Sequence, residues 1–179
     1  MKGTKGLRAI TLTALFAALL AVSALISVPL TVPVTLQTLV LFLAFFVTGG
    51  RISTLATLLY IAIGALGVPV FAGFTGGVSR LFDATGGYIL GLLLASLTFW
   101  LLDQLIGATL RRRVISASFA LCVLYASGTL WYSLVYLGGG ADSTLAVLIT
   151  CVLPFVIPDA IKMTVAYYVA KKLAPLHLG

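Results

Sequence analysis

Asp159 and Lys162 place a carboxylate and an ammonium three residues apart within Pro154-Phe155-Val156-Ile157-Pro158-Asp159-Ala160-Ile161-Lys162, in an otherwise apolar C-terminal third. With Pro158 in the first turn of a helix, where its missing N–H costs nothing, the two side chains share one helical face. The expected result is a polar patch opening a membrane helix. First-turn N–H groups and the positive dipole end would attract an anion there, and Lys162 leans back toward that end. Such an arrangement suits a ligand that carries a carboxylate. An ion pair that only fixes helix packing is the plain alternative, because buried ionisable groups usually pair. The pair alone leaves both readings open.

The elements that must position this pair are membrane helices. Of 179 residues, 61% are hydrophobic and 8% charged, and the mean hydropathy is +1.22, too apolar for a wetted soluble surface. The chain reads as an all-α integral membrane protein, one transmembrane domain over residues 1–179 with about six crossings of roughly 20 residues each. The net charge of +7 sits in short basic clusters between apolar runs, which is the pattern of a topology signal rather than of a nucleic-acid surface. Neither Gly76-Gly77 nor Gly86-Gly87 follows a strand or belongs to a GxxxxGK[ST] loop, so phosphate cradling is rejected. Cys122 and Cys151 lack metal-ligand spacing, and Asp83, Asp103, Asp142 and Asp159 are scattered. No metal, cofactor or catalytic group is expected. Lys2, Lys5 and Arg8 before an apolar run imitate a signal peptide, but no convincing cleavage site precedes Pro29, and the run is kept as the first helix.

The first span is expected over about Leu7 to Ile26, with Ala14, Ala17, Ala18 and Ala21 on one face where another helix could approach closely. That helix could belong to this chain or to a partner protein. Pro29 and Pro33 make Ser27 to Val34 an extended connection. The second span, about Thr35 to Val47, opens with Thr35, Gln37 and Thr38; capping accounts for the threonines, whereas Gln37 fits it less well and is a pocket candidate. After the turn at Gly49-Gly50-Arg51 the third span runs from about Ile52 to Leu66. From Gly64 to Gly87, glycines alternate with Phe71, Phe74 and Phe82, a combination suited to a lid or lining over a small ring system, or to a re-entrant structural loop. Arg80 and Asp83 within it could pair with each other, or Arg80 could meet a ligand's carboxylate.

The fourth span covers about Tyr88 to Ile106, and the fifth about Ile115 to Leu137, where Tyr125, Trp131, Tyr132 and Tyr136 suggest an interfacial belt or, as the second reading, a stacking wall. Pro154 and Pro158 argue against an uninterrupted last helix, so Ser143 to Val156 is expected to include a short surface helix. The final span then runs from about Pro158 to Leu173.

With the N-terminus inside, Lys2, Lys5, Arg8, Arg51, Arg111, Arg112, Arg113, Lys171 and Lys172 all fall on the cytoplasmic side of these spans; Arg80 and Lys162 do not. Both termini are then cytoplasmic. The proline connection, the glycine-rich loop, the tyrosine-rich end and the Asp159/Lys162 helix start meet on the outer side, favouring capture of an external small molecule.

Four stretches in this order resemble the BioY family, the biotin-binding S components of energy-coupling factor (ECF) vitamin transporters. They are Pro33-Val34-Thr35-Leu36-Gln37-Thr38, Gly67-Val68-Pro69-Val70-Phe71-Ala72-Gly73-Phe74, Thr85-Gly86-Gly87-Tyr88, and Pro154-Phe155 with Pro158-Asp159 and Lys162. One departure is that Asp83-Ala84 precede Thr85, where the family commonly has Gly-Pro. The resemblance implies a six-helix S component holding biotin near the outer face of the cell membrane, with Asp159 and Lys162 as ligand-binding residues. Arg80, Gln37, Thr35, Phe71, Phe74 and Tyr88 are the further substrate-binding candidates. Asp159 can accept a ureido N–H of biotin, while Lys162 or Arg80 can pair its carboxylate. The resemblance also implies a transmembrane coupling protein and two cytoplasmic ATPases as partners, with Ala14 and Ala18 as the docking surface in the lipid bilayer. A homo-oligomer is compatible with the sequence.

The main alternative is an S component for another vitamin, such as thiamine or riboflavin. An intramembrane enzyme, for example a lipid phosphotransferase, would need clustered carboxylates or histidines, and the single histidine, His177, lies in the tail. A scaffold protein would have no need of so many glycines and polar groups on one side.

Overall fold

The computed structural model describes residues 2–28, 34–136, 149 and 152–174. Within them run helices α1 (Lys2–Leu25), α2 (Gln37–Thr48), α3 (Gly50–Ala65), α4 (Gly86–Ile106), α5 (Leu110–Trp131) and α6 (Leu153–Leu173). Six helices agree with the expected fold class. The extended connection is the short antiparallel pair β1 (Ser27–Val28) and β2 (Val34–Thr35). A 3-10 turn spans Val78–Leu81, and α5 continues as a π-helix over Tyr132–Tyr136.

Four segments are long and apolar enough to cross a membrane: Gly6–Leu25, Gly86–Ile106, Leu110–Val135 and Leu153–Leu173. α2 has 12 residues and so rises about 18 Å, well short of a hydrocarbon core of about 30 Å. Gly49, at φ 79°, turns the chain directly from α2 into α3.

Side chains such as Val22, Leu101, Phe119 and Ile157 are exposed on the helices' outer faces, as expected where lipid is the solvent. Inside, Leu20, Ala24, Phe45, Phe99, Ala117, Ala120 and Ala166 are fully buried, and the rings of Phe45 and Phe99 stack at 4.0 Å. α4 and α5 pack against each other because small residues let their backbones approach. A Cβ on Gly91 would collide with Ser127, and one on Gly128 with Tyr88.

At one end of the bundle, Asp103 of α4 and Arg113 of α5 form an ion pair at 3.1 Å. Arg113 also donates to Phe46 O at 2.9 Å, and Asp103 accepts the Gly50 N–H at 3.3 Å. The clamp thus joins the C-terminal ends of α2 and α4 to the N-terminal ends of α3 and α5.

The last helix differs from expectation. It begins at Leu153 with Pro154 in its first turn, and Pro158 lies inside it. Pro158 forfeits one hydrogen bond, to Pro154 O, close to the helix start, and the helix tolerates that loss. Asp159 therefore sits in the second turn, beyond the reach of the terminal dipole, which fades within one turn. α5 starts at Leu110 rather than Ile115, since arginine stems can leave a helix while their charged heads stay at the surface. The expected surface helix over Ser143–Val156 falls largely outside the described residues, as do Pro29, Pro33, Cys151 and His177.

Candidate functional site

Opposite the Asp103–Arg113 clamp, a cavity of about 210 Å³ is lined by Thr35, Gln37, Thr38, Tyr60, Phe71, Ala72, Thr75, Arg80, Asp83, Thr85, Tyr88, Ile89, Leu92, Leu124, Tyr125, Phe155, Asp159 and Lys162. These come from β2, the starts of α2, α4 and α6, the later halves of α3 and α5, and the loop between α3 and α4. Alternation of helix direction brings those ends together.

Asp159, with 1% of its side chain exposed, meets Lys162, with 11%, at 2.8 Å. Three groups donate to this carboxylate: Lys162 at 2.8 Å and Thr38 at 2.7 Å to Oδ1, and Tyr125 at 2.6 Å to Oδ2. A carboxylate offers about four lone-pair sites, so Oδ2 keeps one acceptor. Lys162 donates to Thr35 O at 2.9 Å, Thr38 Oγ1 at 3.0 Å and Asp159 Oδ1 at 2.8 Å. An ammonium has three donors, and all three are engaged. The pair is thereby neutralised and tied to α2 and α5, which is what makes its burial tolerable.

A second chain of bonds starts beside it. The Thr35 hydroxyl donates to Gln37 Oε1 at 3.2 Å, Gln37 Nε2 donates to Tyr60 Oη at 2.9 Å, and the Tyr60 hydroxyl donates to Val70 O at 3.3 Å. It links α2, through α3, to the loop that carries Phe71. Phe71 is buried edge-on to Tyr60 at 5.6 Å, and its ring fills the space left open by Gly64, where a Cβ would collide with it.

Arg80 and Asp83 stand at the rim, each with 41% of its side chain exposed, and pair at 2.7 Å. The Ala84 N–H donating to Asp83 Oδ1, and then the Arg80 hydrogen bond, hold the Asp83 carboxyl below the usual carboxylate range.

Seven of the sequence's candidates thus line one cavity: Thr35, Gln37, Phe71, Arg80, Tyr88, Asp159 and Lys162. Phe74 does not. It is 70% exposed, at the tip of a tight turn closed by the Phe71–Thr75 bridge, with a positive φ of 57°. Ala14 and Ala18 lie exposed on α1, whereas Ala17 is buried, so the alanine face is split. Tyr60 is not among the sequence's candidates, and Tyr125 entered only as part of the aromatic set; Tyr60 shares its α3 face with Ser53 and Thr57, a polar stripe that could have pointed to it. Among the described residues no group of three or more His, Cys, Asp or Glu could hold a metal.

This geometry has known counterparts. The BioY family model matches residues 1–177. The chain belongs to the BioY family. It is similar to the probable biotin transporter BioY of Pyrococcus horikoshii, 36% identical over 167 residues that cover 93% of this chain and 96% of that one. The biotin transporter BioY of Thermotoga maritima is 35% identical over 142 residues, 79% of this chain and 80% of that one. Among solved structures, the crystal structure of an S-component for biotin from an ECF-type ABC transporter superposes with a TM-score of 0.81 at 21% identity. That match covers 98% of this BioY-family chain and 95% of the other, and at this identity it speaks for the fold alone.

Proposed function

We propose that this chain captures biotin at the outer face of the cell membrane as the substrate-binding S component of an ECF transporter. The observation that carries the reading is the buried Asp159–Lys162 pair set in the wall of a cavity at one end of a BioY-family bundle. The chemistry agrees with a ligand that has a ureido ring at one end and a carboxylate at the other. Asp159 Oδ2 retains an acceptor for a ureido N–H. Of the two amide hydrogens of Gln37, one goes to Tyr60, and the other suits a ureido carbonyl. Lys162 has all three donors committed, so the ligand's carboxylate falls to Arg80, which has five donors and a rim position. Phe71 and Phe155 supply apolar wall for the sulfur ring.

The chain acts in this reading as one transmembrane domain and not as an enzyme. The basic residues support cytoplasmic termini: Arg51, Arg111, Arg112, Lys171 and Lys172 belong to helix ends opposite the cavity. Energy would come from a transmembrane coupling protein and two cytoplasmic ATPases, and the exposed Ala14 and Ala18 on α1 would admit a helix of the coupling protein closely.

The test is equilibrium binding of biotin to the detergent-purified chain, with thiamine and riboflavin as controls. Saturable binding of biotin and not of the controls is the expected result. A folded chain that ignores biotin overturns the proposal, and a chain that binds a control vitamin becomes an S component of a different specificity.

A further inference from the structure

The rim carries a second carboxylate next to the cation assigned to the ligand. Asp83 is fixed by contacts that do not involve Arg80: its Oδ1 accepts the Ala84 N–H at 2.8 Å, and its backbone oxygen accepts from Trp131 Nε1 at 3.0 Å and from the Gly86 N–H at 2.9 Å. Arg80 reaches it from the 3-10 turn through Nη1 alone. Asp83 is therefore the anchored partner and the guanidinium the movable one. Both line the cavity, so a carboxylate arriving at Arg80 meets a carboxylate already there.

We propose that Asp83 is an internal counter-carboxylate, a specificity-determining residue that competes with the ligand's carboxylate for Arg80 and so weakens retention of acidic ligands. It rests on the proposed function, since it needs a ligand whose carboxylate reaches the rim. Two effects act in the same direction. Asp83 takes one of the donors that a bidentate clasp on the ligand would use, and its charge repels a like charge a few ångströms away.

The experiment is isothermal titration of the detergent-purified wild type, Asp83→Asn and Asp83→Ser with biotin and with biotin carboxamide, which keeps the ring system and lacks the charged tail. Both substitutions retain an oxygen that can accept the Ala84 N–H. The expected result is a dissociation constant for biotin about 3- to 10-fold lower than that of the wild type, with the carboxamide unchanged. Unchanged or weaker biotin binding in the variants overturns the proposal, and so does an equal change for both ligands, which would report altered loop packing. If neither variant folds, Asp83 is a structural residue and the proposal falls. Wild type that binds no biotin removes the proposed function itself, whereas wild-type binding that Asp83→Asn leaves untouched removes only this inference.

Discussion

Tyr125 gives its phenolic hydrogen to Oδ2 of Asp159 at 2.6 Å, spanning from α5 to α6 beside the cavity. This bond reaches the oxygen that Lys162 and Thr38 do not occupy. It therefore sets which direction of Asp159 remains open to a ligand. Tyr125→Phe deletes the donor without changing the ring. A hydrogen bond to a charged group is worth about 1.5–3 kcal/mol, and the variant should lose stability of that order and bind biotin more weakly. Thermal denaturation in detergent and titration calorimetry measure the two effects.

Removing Lys162 should be costlier than removing both members of the pair. Lys162→Met leaves the Asp159 carboxylate buried and uncompensated, at about 3–5 kcal/mol. The double variant Asp159→Asn/Lys162→Met should recover most of that stability while leaving biotin binding abolished. Failure of the double variant to recover would mean that the pair organises α6 and does not merely neutralise itself.

Gly64→Ala should act on the cavity from behind. The added methyl overlaps the Phe71 ring, and overpacking of this kind costs about 1–3 kcal/mol. Phe71 must move into the cavity or out of the wall, so biotin affinity should fall by about tenfold. A restored affinity in Gly64→Ala/Phe71→Leu would locate the damage in that contact.

Arg113→Gln tests the far end. Its partner Asp103 is then left with little exposure and no cation, and the bonds to Phe46 O and from the Gly50 N–H lose their setting. A stability loss of about 3 kcal/mol is expected, with the biotin affinity of the folded fraction unchanged. Weaker affinity in that fraction would show that the clamp positions the cavity as well.

For Asp83 the sign of the pH effect follows from its depressed pKa. The pair with Arg80 contributes fully above the unfolded carboxyl's range of about 4 and is lost as the pH falls through the lower folded value. Trp131, which donates to Asp83 O and lies near Phe82, is the reporter. Its fluorescence should hold steady from neutral pH down to about 4 and change below that, and Asp83→Asn should remove the change.

The polar residues at helix ends were the legible part of this chain, because a carboxylate or an amide in an apolar run has few reasons to be there. Gln37 and Asp159 fall in this class, Lys162 follows Asp159 one turn on, and all three line the cavity together with Arg80 of the 3-10 turn. The rotation of each helix was not legible. In lipid both the inward and the outward face can be apolar, so no stripe announces which side is buried. Ala14 and Ala17 show this: they share a face by spacing, yet one is exposed and the other buried. Tyr60 and Tyr125 read as ordinary aromatic residues until neighbouring helices supply Gln37 and Asp159. Pro158 misled about the helix start because the rule that proline opens a helix does not say which of two prolines does so.

The clamp of Asp103 and Arg113 divides the molecule into a pinned end and a mouth. Four helix ends meet at it, whereas the cavity's rim belongs to a loop of turns and glycines. The loop between α3 and α4 is the part of the cavity wall that lies outside the clamped helices. No one of these four helix ends can shift without carrying the other three along or breaking the clamp.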